Sequence, residues 1–420
     1  MQGPAHTPMR VLVHDYSGHP FQAELSRGLA GRGHEVLHVH CRSFQTGKGD
    51  LETSPDDPVG LRFEGIELGQ TFQRYSPVRR MRQELDYGRR FNRLAASYRP
   101  DVILSSNDPL FAKTRAAVWC RRTRTPWVFW LQDIYSVAMT RYAEKRIGVA
   151  GSAAGAGFKA LERRLLHQAS SVVMITEDFR PTLRDWGVPD EDCHVIENWA
   201  PLDELHPGPK DNPWASEHDL VDARVLLYSG TLGLKHDPEP LIALAERYAS
   251  EPDIRVVVVS EGSGADWLAQ EKARRGVTNL VLLPYQPYDR LGEVFASADV
   301  LLALLSPSAG AFSVPSKILS YLCAGRPILA ILPEANLAVR TIERAAAGIV
   351  VSPGDHDGFL AAAEKLLSDP QLREIVGTNA RTYAQKQFDI ASIAARFESI
   401  LATAAQRSNR PESARAPSIP

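Results

Sequence analysis

The feature that most constrains the fold of this chain is a rhythm of short apolar strands, polar turns and helices. The segment 10–14 is a β-branched run that ends in the polar turn 15–20, and an amphipathic helix with Phe21, Leu25 and Leu29 on one face follows. The apolar segment 35–40 comes next, and this order is typical of the first unit of a parallel sheet. The rhythm predicts four further strands in the first half, at 101–105, 127–131, 171–176 and 194–197.

The rhythm is interrupted once and then starts again. Residues 201–219 are rich in proline and polar residues, which is typical of an inter-domain linker. Six further strands are predicted after it, at 224–228, 254–260, 277–283, 300–304, 327–331 and 348–351. We therefore expect an α/β protein with two Rossmann-like, doubly wound parallel-sheet domains facing a central cleft.

The expected boundaries follow from these patterns. The N-terminal domain is predicted at 1–200 and the C-terminal domain at 220–387, with a mobile Gly/Ala/Ser loop at 147–157 inside the first. Residues 405–420 are predicted to form a disordered tail, because they are rich in Ser, Pro and Arg.

Composition excludes several classes of protein. Apolar residues make up 44% and charged residues 23% of the 420 residues, which argues against a largely disordered or fibrous chain. The net charge of −2 does not suggest a nucleic-acid binder. Residues 1–200 carry 27 basic and 23 acidic side chains, whereas 201–420 carry 21 and 27, so the two halves are expected to face different partners.

The cysteines and apolar runs indicate the compartment. Cys41, Cys120, Cys193 and Cys323 lie far apart, which fits a reducing compartment and argues against a disulfide framework or a structural zinc site. Residues 1–8 show no secretory signal, and the apolar runs are shorter than the ~18 residues that span a bilayer. We expect a cytosolic protein, which can still lie on a membrane surface.

Three segments of the second half carry glycines, hydroxyls and lysines where predicted strands end. Ligands of parallel sheets bind at that edge, and glycines let the backbone approach an anion. The first segment contains Gly230, Thr231, Gly233 and Lys235, and the lysine adds a point charge where a diphosphate would lie. An ordinary strand-to-helix turn remains an equally good interpretation of this segment alone.

The second and third segments point to the same edge. Glu261, Gly262 and Gly264 follow the strand that ends at 260. In the third, Pro315 suits a first helical turn, and the amides of Ser316 and Lys317 would be among its free donors. A helix N-terminus with Ser and Lys suits a phosphate, although a plain capped helix is the alternative.

Two segments of the first half end strands in a similar way. Asp133, after Gln132, places a carboxylate at a strand end, where an Asp is more often only a turn or cap residue. The turn Ser17, Gly18 and His19 lies at the corresponding end of the first strand. His19 is either a loop histidine without a role or a contact for a phosphate or a sugar hydroxyl.

Residues 74–99 form a strongly basic segment. They contain eight arginines against Glu84 and Asp86, with Tyr75, Met81 and Phe91 interspersed. A solvated helix face is one interpretation, and a surface for anionic lipid, with these three apolar side chains dipping into the interface, is the other.

Six short motifs together give the chain a resemblance to a known family. They are LQDIY at 131–135, ITEDF at 175–179, VIENW at 195–199, YSGTLG at 228–233, VPSK at 314–317 and AGRP at 324–327. In order and spacing the chain resembles the family 4 glycosyltransferases of the GT-B fold, in the branch of bacterial exopolysaccharide and O-antigen sugar transferases. The resemblance covers roughly residues 9–400.

The resemblance implies a reaction and a separate ligand for each of the two domains. It implies that a sugar is transferred from a nucleotide donor to a hydroxyl acceptor, with retention at the anomeric carbon and without a metal or other cofactor. The acceptor is a saccharide, which in many such systems is carried by an isoprenoid lipid. It places the nucleotide on the C-terminal domain, with Lys235 at the diphosphate and Tyr285 near the base, and the acceptor on the N-terminal domain. It also implies that the last helix, within 388–404, crosses back to the first domain.

The chain departs from the family pattern at three positions. Many members carry two glutamates eight positions apart, where this sequence has Phe312 and Ser320. Ser313, Ser316 and Lys317 would then have to make the contacts of the missing pair. The histidine that often precedes the acceptor-side aspartate is Gln132 here, which makes Asp133 the expected polar catalytic contact.

Two other functions remain open at this stage. A glycosyltransferase-like subunit that binds nucleotide without turnover is favoured by the missing glutamate pair. A nucleotide-sugar 2-epimerase shares the two-lobed architecture, but it would need several carboxylates and histidines converging on one sugar, and the sequence does not show such a set.

Overall fold

The computed structural model describes residues 7–44, 49–69, 77–106, 108–233, 236–307 and 316–409. The chain divides into two compact units. The first consists of the residues up to Glu197 together with those from Ile390 onward, and the second is Asn198–Asp389.

The first unit is built on a seven-stranded, fully parallel sheet. Its strands are β1 (Arg10–His14), β2 (Glu35–Cys41), β3 (Leu61–Ile66), β4 (Val102–Ser105), β5 (Trp127–Leu131), β6 (Ser171–Met174) and β7 (Cys193–Val195). Its helices are α1 (Pro20–Gly31), α2 (Pro77–Tyr98), α3 (Leu110–Thr123), α4 (Tyr135–Ile147), α5 (Val149–Gln168) and α6 (Arg180–Asp185). The spatial order β3-β2-β1-β4-β5-β6-β7 reverses direction between β1 and β4.

The second unit repeats this arrangement with a six-stranded parallel sheet. Before the first strand lies the short helix α7 (Pro213–Glu217). The strands are β8 (Arg224–Ser229), β9 (Ile254–Val259), β10 (Leu280–Leu283), β11 (Val300–Leu304), β12 (Ile328–Ile331) and β13 (Gly348–Val351). The helices are α8 (Glu239–Arg247), α9 (Ser263–Arg275), α10 (Leu291–Ala296), α11 (Lys317–Ala324), α12 (Leu337–Ala345), α13 (His356–Ser368) and α14 (Pro370–Gln387).

Both sheets therefore have a point at which the strand order reverses. In the second sheet, ordered β10-β9-β8-β11-β12-β13, it lies between β8 and β11. Doubly wound sheets bind their ligands outside the carboxyl ends of the strands at such a point. The central strands are apolar and buried because helices cover both faces of the sheet, as at Leu12, which lies in register with Leu37 and Ile103.

The last helix, α15 (Ile390–Asn409), returns to the first unit. The buried carboxylate of Glu398 accepts hydrogen bonds from Arg32 Nε at 2.7 Å and pairs with His34 Nε2 at 2.8 Å. Gly28 on α1 leaves room for α15, since a Cβ there would lie 3.1 Å from atoms of Ala394 and Ile390. The helix extends to Asn409, so residues 405–409 are helical where the sequence predicted the start of a disordered tail.

Two further segments differ from the sequence prediction. The predicted loop at 147–157 is wrong, because α4 and α5 are both helical there and meet at Gly148. Small residues let these two helices pack closely: a Cβ on Gly151 would lie 2.3 Å from the carbonyl oxygen of Ala143. The predicted linker 201–219 belongs to the second unit, where Trp214 on α7 is fully buried and donates to Gln286 Oε1 at 2.8 Å.

Candidate active site

In the first unit, two carboxylates hold the turn that follows β1. Asp15 Oδ1 accepts the N–H of Ser17 at 3.1 Å, and Asp15 Oδ2 accepts the N–H of His19 at 2.7 Å. Asp108, after β4, accepts the N–H of Tyr16 at 2.9 Å. Gly18 adopts a φ of +77°, which favours glycine. Ser17, Gly18 and His19 therefore lie at the carboxyl edge of the sheet in a turn fixed through its backbone.

Asp108 is the centre of a buried polar cluster. Its Oδ2 accepts from Ser105 Oγ at 2.6 Å and lies 3.0 Å from His14 Nδ1 and 4.0 Å from Lys113 Nζ. Burial works against the charge, but the neighbouring His14 and Lys113 outweigh it and hold the pKa of Asp108 below its ordinary value. The ring of Phe91 stacks on His14 with centroids 4.0 Å apart.

The end of β5 carries the second predicted group of the first unit. Gln132 is buried and Asp133 is half-buried, in the turn between β5 and α4. The first N–H groups of α4 are fixed by a side chain of α5, because the Glu162 carboxylate accepts the N–H of Tyr135 and of Ser136, each at 2.8 Å. A buried carboxylate thus fixes the residues that directly follow Asp133.

In the second unit, Gly230 and Lys317 come together where β8 ends. Gly230 has a φ of +126°, and a Cβ on it would lie 3.2 Å from Lys317 Cε and Nζ. Lys317, at the start of α11, places Nζ 3.5 Å from the centroid of the Tyr228 ring, over its face. Among the residues that the structure describes, this buried Nζ has no hydrogen-bond partner. Burial lowers the pKa of Lys317 well below its ordinary value.

A second set of predicted residues forms a rim beside this lysine. Tyr285 is 45% exposed and donates from its hydroxyl to Thr231 Oγ1 at 3.0 Å. Its N–H donates to Glu261 Oε1 at 3.1 Å. The ends of β8, β9 and β10 are therefore tied together by side chains, and an aromatic ring is left exposed above them.

The remaining glycines of this edge shape the backbone. Gly262 precedes α9 with a φ of +97°. The N–H of Gly264 donates to Leu232 O at 3.1 Å, and a Cβ there would lie 2.6 Å from that oxygen, so this glycine permits a close approach of two loops. The N–H of Gly233 donates to His236 Nδ1 at 3.1 Å.

The third predicted segment is only partly described. Lys235, Ser313 and Pro315 lie outside the described residues, as does Phe312. Ser316 is exposed immediately before α11, and Ser320 is half-buried on that helix.

Sequence reasoning missed several residues of these two edges. Asp15, Asp108 and Lys113 were not predicted, although both aspartates follow apolar strands just as Asp133 does. Tyr228, whose ring lies under Lys317, was placed in the motif at 228–233 but was not predicted as a site residue. A search for every acidic residue within three positions of a predicted strand end would have found Asp15 and Asp108.

The basic segment is resolved into two faces of α2. Arg79, Arg82, Arg89 and Arg93 are exposed and share one side of the helix, whereas Arg80 is half-buried, with Nε 2.7 Å from Glu84 Oε1 and a hydrogen bond to the Tyr135 hydroxyl. The expected interfacial role of Phe91 is wrong, because this side chain is fully buried. Met81 is half-buried, and Arg74 and Tyr75 lie outside the described residues.

Both units match families of known proteins. Residues 19–199 match the model of a glycosyl transferase 4-like domain, and residues 213–383 match that of glycosyl transferases group 1. WcaI of Escherichia coli (strain K12), assigned as a colanic acid biosynthesis glycosyl transferase, is 26% identical over 309 residues, which are 71% of this chain and 73% of WcaI.

Solved structures show the same fold at low sequence identity. The sucrose-phosphate synthase of Thermosynechococcus elongatus superposes with a TM-score of 0.71 at 17% identity, covering 93% of this chain and 98% of that one. Anabaena HepE in complex with UDP-glucose superposes with a TM-score of 0.68 at 18% identity, covering 94% and 100%. The two parallel-sheet units thus define a protein of the GT-B class. With both domain families matched, the chain belongs to the family 4 glycosyltransferases.

Two features are absent from the described residues, a membrane-spanning helix and a cluster of metal ligands. No helix in them is long and apolar enough to cross a membrane. No group of three or more His, Cys, Asp and Glu side chains in the same residues is arranged to hold a metal ion.

Proposed function

We propose that this glycosyltransferase moves a hexose or N-acetylhexosamine from a nucleotide-sugar donor to a saccharide acceptor in surface-polysaccharide synthesis. The transfer proceeds with retention at the anomeric carbon and without a metal ion. The name of WcaI supports the polysaccharide assignment, and the UDP-glucose complex of HepE supports a nucleotide-sugar donor.

The observation that supports the proposal most strongly is the buried Nζ of Lys317, which has no hydrogen-bond partner among the described residues. A lysine Nζ without an acidic neighbour among the described residues is costly to bury as a cation. A diphosphate bound next to Gly230 would supply the missing negative charge, and the glycine leaves the backbone open for it. During transfer, the leaving diphosphate gains charge, and a preorganised cation stabilises that charge.

The donor is assigned to the carboxyl edge of the second sheet. Thr231, Gly233, Glu261, Gly262 and Gly264 shape the loops around the diphosphate. The exposed ring of Tyr285 offers a face for the nucleobase.

Further donor contacts are assigned to Lys235, which follows β8 in sequence, and to the segment before and within α11. Lys235 supplies a second positive charge to the diphosphate. Ser313, Ser316 and Lys317 contact the ribose and sugar hydroxyls in place of the glutamate pair that many family members carry. Pro315 and Ser320 complete the donor-binding set.

The acceptor is assigned to the edge of the first sheet. Ser17, Gly18 and His19 present a hydroxyl, a backbone and a ring at the end of β1. Desolvation lowers the pKa of His19 to about 4, so the ring is neutral near pH 7 and can accept or donate a hydrogen bond. Gln132 and Asp133 lie at the end of β5, and Asp133 makes the polar catalytic contact.

A panel of nucleotide sugars tests the proposal. Purified protein is incubated with each donor, with and without saccharide acceptors, in buffer containing EDTA, and release of nucleoside diphosphate is measured. We expect release with at least one donor, undiminished by EDTA, and NMR of the product should show the donor's anomeric configuration.

Each alternative has its own signature in this assay. A 2-epimerase would change the sugar of the donor without releasing nucleoside diphosphate in its first step. A binding subunit would show a thermal shift with nucleotide and no chemical change. Asp133→Asn should lower transfer and leave nucleotide binding intact, and equal loss of nucleotide affinity would contradict the assignment of the acceptor to the first unit.

We also propose that the acceptor is lipid-linked and that the first unit lies on the inner face of the cell membrane. The exposed face of α2 supports this, because Arg79, Arg82, Arg89 and Arg93 stand on one side of the helix without acidic partners among the described residues. Each basic residue near an anionic surface contributes on the order of 1 kcal/mol, which salt screens.

Vesicle co-sedimentation tests the membrane proposal. Binding should require anionic lipid and weaken with salt, and the pair Arg82→Glu and Arg89→Glu should abolish it. The pair Arg121→Glu and Arg122→Glu, on the exposed end of α3, changes the charge equally and should leave binding unchanged. Arg80 is left intact because it bonds Glu84 and Tyr135. No binding to anionic vesicles at low salt would end the membrane proposal and leave the transferase proposal standing.

A further inference from the structure

The turn after β1 depends on a carboxylate that has no role yet in the proposed reaction. Both oxygens of Asp15 are engaged, one by the N–H of Ser17 and the other by the N–H of His19. The His19 side chain makes no capping hydrogen bond to α1, although His19 occupies the position before that helix. The backbone of His19 is therefore held by Asp15, which leaves the half-buried ring available for other contacts.

Asp15 differs from its neighbour Asp108 in how its charge is balanced. Asp108 has His14 and Lys113 within 4.0 Å. Among the described residues, the nearest basic group to Asp15 is His38 Nε2 on β2, at 3.7 Å. Burial lowers the pKa of His38 to about 3, so this ring is neutral near pH 7 and does not compensate the charge.

The other groups around Asp15 do not balance its charge either. Asp108 opposes it, and from α2 the buried hydroxyl of Tyr87 is a neutral neighbour. His40 on β2 and Arg27 on α1 both lower the pKa of the His38 ring further. Burial accordingly raises the pKa of Asp15 to about 7, in opposition to the backbone N–H donors of Gly18, His19 and Ser17.

The pKa values of two buried carboxylates in one cluster are thus shifted in opposite directions. Such a separation is characteristic of groups with distinct functional tasks. Ionised Asp15 accepts both N–H groups with full strength. Protonated Asp15 has one oxygen that acts as a donor, so it holds the same two N–H groups less firmly.

We propose that Asp15 is the positioning residue of the acceptor turn, which keeps the Ser17 hydroxyl and the His19 ring in place for substrate. The inference rests on the proposed function, because it concerns the same edge of the first sheet. Its consequence is that turnover requires ionised Asp15, and that the turn loosens when the protein is acidified.

The test compares Asp15→Asn with Asp101→Asn. Asp101 accepts the N–H of Arg10 at 2.7 Å, so it makes the same kind of bond at the amino end of β1, away from the site. An amide at position 15 has one acceptor oxygen in place of two, so one of the two N–H groups would face the amide NH2 instead. We expect Asp15→Asn to lower kcat by about tenfold to a hundredfold, as for other hydrogen bonds to charged groups, without raising the KM for the donor. Asp101→Asn should leave both parameters unchanged.

The pH profile separates positioning from a merely structural role. Wild-type kcat should fall on the acid side with an apparent pKa near 7, and Asp15→Asn should lack this acid limb. A wild-type kcat that is flat between pH 5 and pH 8, or an acid limb retained in Asp15→Asn, would overturn the proposal.

Hydrogen exchange supplies a readout that does not depend on turnover. In the wild type, protection of the amides of Ser17 and His19, corrected for intrinsic rates, should fall between pH 8 and pH 6 while protection within β1 stays constant. Unchanged protection of these amides would also overturn the proposal. If no donor is turned over at all, the proposed function fails, and the exchange experiment still decides whether Asp15 holds the turn.

Discussion

Two buried lysines, one in each unit, show how differently the two sheet edges are built. Lys113 Nζ lies 3.6 Å from the centroid of the Phe129 ring, and Lys317 Nζ lies 3.5 Å from that of Tyr228. Lys113 donates to the carbonyl oxygen of Ser106 and lies 4.0 Å from Asp108. Lys317 has an aromatic face beneath it and no acidic or carbonyl partner among the described residues.

The difference indicates what each edge does. In the first unit, Lys113 and Asp108 compensate each other's charge, so their cluster stabilises the fold at this sheet edge. In the second unit, Lys317 Nζ has no acidic neighbour among the described residues, and we propose that the diphosphate of the donor supplies the negative charge. Burial lowers the pKa of Lys113 only to about 8, because Asp108 and Glu162 oppose the shift, whereas the pKa of Lys317 lies well below its ordinary value with burial as its cause.

The largest expected effect is on turnover. Lys317→Met keeps the length of the side chain and removes its charge, so it should lower kcat by about 10²–10³, as for the loss of one strong electrostatic contact in a transition state. Thermal unfolding should be unchanged or shift upward, because an unpaired buried amine is lost. Lys365→Ala, an exposed lysine on α13 of the same unit, is the control and should retain activity. Wild-type turnover in Lys317→Met would exclude the lysine from the site.

The corresponding change in the first unit should act on stability. Lys113→Met leaves Asp108 with fewer compensating groups, and breaking a buried ion pair costs about 3 kcal/mol or more of unfolding free energy. Urea unfolding at pH 7.5 measures this loss. Turnover per folded molecule should change far less than in Lys317→Met. If the two lysine variants lose stability and turnover in the same proportion, the contrast between the two edges is wrong.

The pH dependence of stability sharpens the contrast within the first unit. The pKa of Asp15 is raised in the folded protein from 3.8 to about 7. Its contribution to stability is therefore complete below pH 3.8 and is lost as the pH rises to about 7. At about 1.4 kcal/mol per pKa unit, the upper bound is about 4 kcal/mol.

Unfolding experiments on Asp15→Asn measure this contribution. Relative to the variant, the wild type should lose unfolding free energy between pH 4 and pH 7, and the difference between the two proteins should level off above pH 7. A difference that is independent of pH over this range would mean that Asp15 is already ionised at pH 4.

The smallest expected effect concerns the backbone next to Lys317. Gly230→Ala and Gly262→Ala both place a side chain at positive φ, which costs about 1–3 kcal/mol. Only at Gly230 would the new Cβ meet Lys317, at 3.2 Å, since nothing lies within 4 Å of a Cβ on Gly262. Nucleoside diphosphate affinity, measured by calorimetry, should therefore fall more in Gly230→Ala. Equal losses would mean that Lys317 can move aside.

Much of the fold could be predicted because buried parallel strands are continuous apolar runs. The bounds of β1, β5, β11 and β13 agree with the sequence prediction, and the GT-B architecture is confirmed by the structure and by the structural neighbours. Strand β3 was missed, since it is an edge strand whose Arg62 and Glu64 are exposed and break the apolar pattern. The loop predicted at 147–157 failed because glycine and alanine were taken as signs of mobility, whereas they permit close helix packing.

The sites were predictable only in part. Lys317 and Gly230 were singled out from strand ends and helix starts, since local order along the chain places them at one sheet edge. Asp15 and Asp108 are 93 residues apart in sequence, and their joint hold on the Tyr16–His19 turn follows from the pairing of β1 with β4. Phe91, predicted to reach a membrane, instead packs on His14.

By itself, the sequence determined the class of fold, the number of sheets and which loops lie at their carboxyl ends, because hydrophobic periodicity and turn chemistry are local properties of the chain. Tertiary structure decided which charges are balanced. Two lysines that look alike in sequence differ because one lies within 4.0 Å of a carboxylate, whereas the other lies over an aromatic ring and has no hydrogen-bond partner among the described residues. Charge balance depends on distances of a few ångströms between residues far apart along the chain, and in a desolvated interior those distances set the electrostatic energy.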